Sequence, residues 1–234
     1  MASMFAGLIN GTIQFLRSLM GKDRRWTITV PKEKFEQLKS DPEFCATLAL
    51  GRAVNALHFV HTPLLDAQDG TPRATRDRFN SLLFTCALFA EAILLVEKLE
   101  EKYFLNHPEF QQVRNIIGSA ETKALRKQLF IVRDKLVFHF DPKQVQEQMA
   151  DIDLEYDPII VSGLGKQKMN TYQELIDLVA LRSFFGSSFP KDIAKMKPSL
   201  QAVSHLVVSF LEAAEEFMVA MINKRGWAEM NFLP

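Results

Sequence analysis

Arg133, Asp134 and His139 stand close together in an otherwise apolar run, Ile131 to Asp141, that reads IVRDKLVFHFD. An arginine presents a rigid planar fork that matches phosphate oxygens, and an imidazole moves a proton near neutral pH. Together they can do phosphate chemistry without a metal. Their spacing sets a condition. Six residues of α-helix turn through about 240° and rise about 9 Å. The two side chains therefore converge only if the helix bends or ends near Val137, or if a second copy of the chain supplies one of them. The competing reading is structural: Arg133 pairs with Asp134 or another carboxylate on a solvated face, and His139 is a satisfied histidine near a helix end.

A second polar set lies earlier. Arg52, Asn55 and His58 are three apart in GRAVNALHF, and drift around one side of an apolar helix. Asn80 and Glu91 are eleven apart, about three helical turns, so they share a face with Phe84 and Ala87 between them. Arg52 and Glu91 either line a cleft beside the Arg133 motif or form an Arg–Glu network that locks two core helices together. The second alternative is the commoner one. His58 and His61 have no supporting carboxylate or cysteine on their helix, so no metal site is read from them, and no cofactor is implied. His107 and His205 have no companions that argue for chemistry. Arg73, Arg76 and Arg78 oppose the macrodipole at the start of a helix, either as phosphate contacts or as a solvated first turn.

The elements that must position these residues are helical. Asp41-Pro42 is a cap followed by a proline at the first helical position, and opens a helix expected to end at Thr62 before Pro63. Thr71-Pro72 opens a longer one that runs past Glu100. A short helix covers Pro108 to Ile117, and Ser119 caps another that carries the Arg133 motif to Pro142. Residues 142–170 read as an irregular insertion. Thr171 is expected to cap a helix over 172–185, and a last helix spans 198–224, stopped by Gly226. Ahead of the bundle, Phe5, Leu8, Ile9, Ile13, Leu16, Leu19 and Met20 follow a helical period over residues 4–20. Packing of this segment on the core is a better account than a membrane-surface helix. Trp26 to Val30 alternates as one short strand would. The division is then residues 1–40 as an amphipathic helix and connector, 41–226 as the bundle, and 227–234 as a loose tail.

The chain has 234 residues with 28 basic and 28 acidic side chains, so no global field advertises nucleic acid, and any such surface must be local. Cys45 and Cys86 sit in apolar helical stretches and read as buried reduced thiols, which suits a cytoplasmic setting. No apolar run is expected to span a bilayer. Phosphate-binding glycine loops and Ser/His/Asp arrangements are absent.

The run Arg133-Asp134-x4-His139, late in a helical bundle, resembles the Arg-polar-x4-His signature of HEPN domains (higher eukaryotes and prokaryotes nucleotide-binding). The resemblance implies an all-α, HEPN-like four-helix bundle with an added N-terminal helix, short helices and an insertion. It also implies a metal-independent endoribonuclease, a toxin or antiviral effector, acting as a homodimer with the motifs facing across the axis. His139 would then move the proton for attack by the ribose 2′-hydroxyl. Arg133 would stabilise the phosphorane-like charge, and Asp134 would fix the imidazole or a partner group. Arg52, Asn55, Asn80, Glu91 and Asp141 are candidate binding residues. Asp141 stands where some HEPN proteins carry a modifiable Tyr two residues after the His, so that route of regulation is not expected. Many HEPN-like proteins have lost catalysis, so the alternative is a non-catalytic module that binds a partner protein or a nucleotide.

Overall fold

The computed structural model describes residues 26–66, 72–138, 142–150, 162–163, 171–172, 179–180, 182 and 197–232. The periodic segment over residues 4–20 lies outside them. Strand β1 (Trp26–Thr29) leads to a short helix α1 (Lys32–Leu38) and then to α2 (Pro42–Asp66). Asp41 caps α2, its Oδ1 accepting from the Phe44 N–H at 2.9 Å. Leu50, Val54, Leu57 and His61 are buried at intervals of four, three and four residues, the stripe that a one-sided helix needs.

Helix α2 does not stop at Thr62 as expected; it continues through Pro63 to Asp66. A proline removes the one hydrogen bond its N–H would make to the carbonyl four residues back, here Phe59. The helix continues for three residues beyond it despite that loss, and the Thr62 hydroxyl donates to the neighbouring His58 carbonyl at 2.7 Å.

Helix α3 (Pro72–Leu99), extended by a π-helical turn Glu100–Phe104, is the central element. It packs against α2, the motif-bearing helix and the last helix. Residues Arg76–Phe104 form a helix long and apolar enough to cross a membrane, contrary to the expectation from sequence. The same length and apolarity serve a helix surrounded by its neighbours: Phe89, Ala90 and Ile93 are fully buried in the core.

A 3-10 turn (Pro108–Phe110) leads into α4 (Gln111–Ile117). Arg114 ties this connection down, donating to the Leu105 carbonyl at 3.2 Å and the His107 carbonyl at 2.7 Å. Ser119 caps α5 (Ala120–Ile131), accepting the Thr122 N–H at 3.1 Å, and α5 runs on as a π-helical segment Val132–Val137.

The insertion is not irregular from its start. Pro142 opens helix α6 (Pro142–Ala150), because a proline that cannot continue one helix is well suited to the first position of the next. Two-residue strands β2 (Ser162–Gly163) and β3 (Thr171–Tyr172) pair antiparallel, so Thr171 lies in a strand rather than at a helix cap. Most of the helix expected over 172–185 falls outside the described residues; Val179, Ala180 and Arg182 are helical.

Helix α7 (Lys197–Arg225) closes the bundle, packing on α2 and α4. Its Phe217 sits edge-on to Phe104 and Phe110 with ring centroids 4.9 and 4.8 Å apart. Gly226, at φ 58°, takes the left-handed conformation that ends the helix. Residues 227–232 are not a loose tail. Trp227 is buried edge-on to Phe44 at 5.3 Å, and β4 (Glu229–Phe232) pairs antiparallel with β1 in the register Trp26↔Phe232 to Thr29↔Glu229. The architecture is all-α, with this ribbon fastening the two ends of the described chain together.

Of the two thiols, Cys86 is buried in the core as expected, whereas Cys45 is exposed. Neighbouring Phe44 and Ala46 are buried, and the 100° step between successive helical residues turns Cys45 outward.

Candidate functional site

Arg133 stands in the π-helical segment. There the Phe138 N–H reaches back five residues to the Arg133 carbonyl at 3.3 Å and closes the helix. A distortion of the kind that convergence of Arg133 and His139 within one chain would need is therefore present between Val132 and Val137. π-helical turns of this kind occur often at functional sites. His139 and Asp141 lie outside the described residues, just past the helix end.

The helical repeat places Arg126, Phe130 and Arg133 on one face, at intervals of four and three. Both guanidiniums lie over the Phe130 ring, Arg126 at 5.1 Å and Arg133 at 4.7 Å from its centroid. Helix α3 runs antiparallel to this face and offers Glu97 and Glu91. Glu97 takes Arg126 in a two-pronged pair of 2.6 and 3.0 Å, which holds the Arg126 guanidinium above its usual pKa range. Glu91 faces Arg133, Oε1 to Nε at 3.5 Å, and Asp134 accepts from the same Nε at 2.6 Å.

Arg133 thus makes its nearest approach to both carboxylates through Nε. Its side chain is only 18% exposed, while Glu91 and Asp134 are 52% and 42% exposed. Nη1 is buried and makes no hydrogen bond. Such an atom is costly to leave unsatisfied, about 1–3 kcal/mol, more where it carries charge. The guanidinium plane is fixed by a ring beneath it and by carboxylates at one corner, with Nη1 left without a hydrogen-bond partner among the described residues.

The remaining expected residues are dispersed. Glu91 joins the motif, but its partner is Arg133 rather than Arg52, because α5 lies against that face of α3. Arg52 and Asn55 are exposed on α2, and among the described residues no hydrogen bond or ion pair ties either to Arg133. Asn80 is exposed, its side-chain amide donating to the Arg76 carbonyl at 2.9 Å. Ala87, between Asn80 and Glu91, is buried, so the face they share is partly covered. His107 is flanked by Glu43 at 3.5 Å and Glu109 at 3.9 Å, and these pair with Arg225 and Lys224 of α7. Among the described residues no group of three His, Cys, Asp or Glu side chains is arranged to hold a metal ion.

Sequence reasoning passed over Phe130 and the Arg126–Glu97 pair. The signal was present in the four-and-three spacing of Arg126, Phe130 and Arg133, and in the two glutamates six apart on the facing helix. No family of known sequences, no curated protein and no solved structure matches the chain.

Proposed function

We propose that the chain is a metal-independent endoribonuclease of the HEPN type, with Arg133 and His139 as its catalytic pair. One observation carries the reading: Arg133 is anchored through Nε, its buried Nη1 has no hydrogen-bond partner among the described residues, and it sits in a distorted turn that ends two residues before His139. An anchored fork suits the task, since a preorganised cation stabilises transition-state charge without reorganising as the charge develops. His139 takes the proton of a ribose 2′-hydroxyl as that oxygen attacks the adjacent phosphorus. The P–O5′ bond breaks, a 2′,3′-cyclic phosphate remains, and the leaving oxygen takes up a proton. Asp134 and Glu91 hold the guanidinium plane. The working unit on this reading is a homodimer in the cytoplasm, a toxin or antiviral effector with RNA as substrate. The exposed Phe138, 45% accessible beside the motif, supplies apolar surface for the second copy.

The second reading, a non-catalytic HEPN-like module that binds a partner protein or a nucleotide, is favoured by the two carboxylates on Arg133. They compete with phosphate for the same cation. Cleavage of RNA in EDTA by the purified chain separates the two, with Arg133→Ala and His139→Ala alongside and the 3′ ends identified. Cyclic phosphate ends, lost in both variants while the fold persists, support the nuclease. No cleavage, or equal cleavage by the variants, moves the binding module ahead.

A further inference from the structure

His61 is the one histidine among the described residues that lies in the core, 3% exposed on the α2 face turned toward α7. Its Nε2 meets a single partner, the Ser204 hydroxyl of α7 at 3.2 Å, and its Nδ1 is buried with no partner. The charged or titratable group acting on it among the described residues is His58, one turn earlier on α2. His58 is exposed and paired with Glu215 of α7 at 2.7 Å. Ser204 brings no charge, and its neighbour His205 is exposed. Among the described residues a proton added to His61 therefore finds no carboxylate to balance it, and His58 disfavours it.

The surrounding backbone is weakened at the same place. Pro63 removes a helix hydrogen bond two residues later, and α2 ends at Asp66. On the other side of the seam, Ser204 lies in the second turn of α7. Helix ends open at lower cost than helix centres.

We propose that His61 is an acid-sensitive latch between the end of α2 and the start of α7, which holds while the imidazole is neutral and releases when it is protonated. Burial, then the nearby His58, pushes its pKa down from 6.5 to about 4. The open, hydrated seam binds the proton more tightly than the closed one. Closure is complete above pH 6.5 and loses ground as the pH falls from there toward 4. From those two values the opening equilibrium rises roughly 20-fold between pH 7 and pH 5.

Hydrogen exchange of the full chain tests this, read as protection factors corrected for the intrinsic pH dependence of exchange. Between pH 7 and pH 5 the amides of residues 58–66 and 201–208 are expected to lose about 20-fold protection, while the centre of α3 keeps its own. His61→Gln, which donates to Ser204 but does not titrate, is expected to abolish the loss. Equal loss in His61→Gln overturns the latch, as does uniform loss across the whole chain. Should His61→Gln not fold, ring NMR of the wild type decides: an imidazole protonated at pH 5 with the seam still protected overturns the proposal, and a neutral imidazole in the closed state supports it.

Discussion

Glu91 and Arg133 meet across the seam between α3 and the distorted end of α5, carboxylate oxygen to Nε at 3.5 Å, with Phe130 beneath the guanidinium. The pair joins two helices that the chain connects only through the short elements between Leu105 and Ser119. Because Glu91 is half exposed, water screens the attraction. A double-mutant cycle with Glu91→Ala and Arg133→Ala, read by urea denaturation, is expected to return a coupling of about 0.2–1 kcal/mol. Arg133→Ala alone is expected to cost about 1–2 kcal/mol, since it also loses the aromatic stack. A coupling above about 3 kcal/mol would mean the pair behaves as a buried one.

Arg133→Lys separates charge from shape. Lysine keeps the positive charge but not the planar fork or its seat on the Phe130 ring. If the motif cleaves RNA, this variant is expected to fold normally and lose about 100-fold to 1,000-fold in rate, the cost of removing one oriented transition-state donor. Single-turnover cleavage against wild type measures it, and full activity in Arg133→Lys would show that charge alone suffices.

The C-terminal ribbon is expected to be structural. Trp227 is 3% exposed against Phe44, and the Lys34 ammonium donates to the Gly226 carbonyl beside it. Trp227→Ala is expected to destabilise by about 3–5 kcal/mol, as large aromatic truncations in cores do. Thermal melting of the variant checks this, and an unchanged midpoint would restore the reading of these residues as a tail.

How much of the structure is legible in the sequence depends on the range over which each signal acts. Helix periodicity is local, so α2, α3, α5 and α7 are found where the apolar stripes and the caps at Asp41 and Ser119 put them. The strand at Trp26–Thr29 is equally local, but its partner lies some two hundred residues away at Glu229–Phe232, and no spacing rule links them. The same limit governs the site. The need for a helix distortion near Val137 comes from angular arithmetic. That Glu91 would choose Arg133 over Arg52 depends on which helix lies against α3, which is a matter of packing. Pro63 misled because a proline costs one hydrogen bond and a clash with the turn before it, a cost that this helix absorbs without ending.

The two cysteines are expected to differ sharply in reactivity. Cys86 is fully buried, and desolvation of the thiolate pushes its pKa up to about 12, so almost none is ionised at neutral pH. Cys45 is exposed, its thiol directed at the Lys39 carbonyl at 3.5 Å. A thiol-disulfide reagent at pH 8 is expected to titrate one thiol in the native protein and two in denaturant. Cys45→Ser should leave a native protein that does not react on the same timescale. Prompt reaction of Cys86 in that variant would show that the core opens around α3.

Thr85 offers a stabilising change. It is completely buried on α3 among Leu82, Cys86 and Phe89, and its hydroxyl makes no hydrogen bond. An unsatisfied buried hydroxyl carries a desolvation penalty of about 1–3 kcal/mol. Valine has nearly the same shape and no polar atom, so it removes the penalty without opening a cavity. Against this, valine gives up a little helix propensity, a few tenths of a kcal/mol at most. Thr85→Val is therefore expected to raise stability by about 1 kcal/mol, seen as a higher urea midpoint with an unchanged slope. A loss of stability instead would mean that the hydroxyl has a partner in solution, such as a buried water.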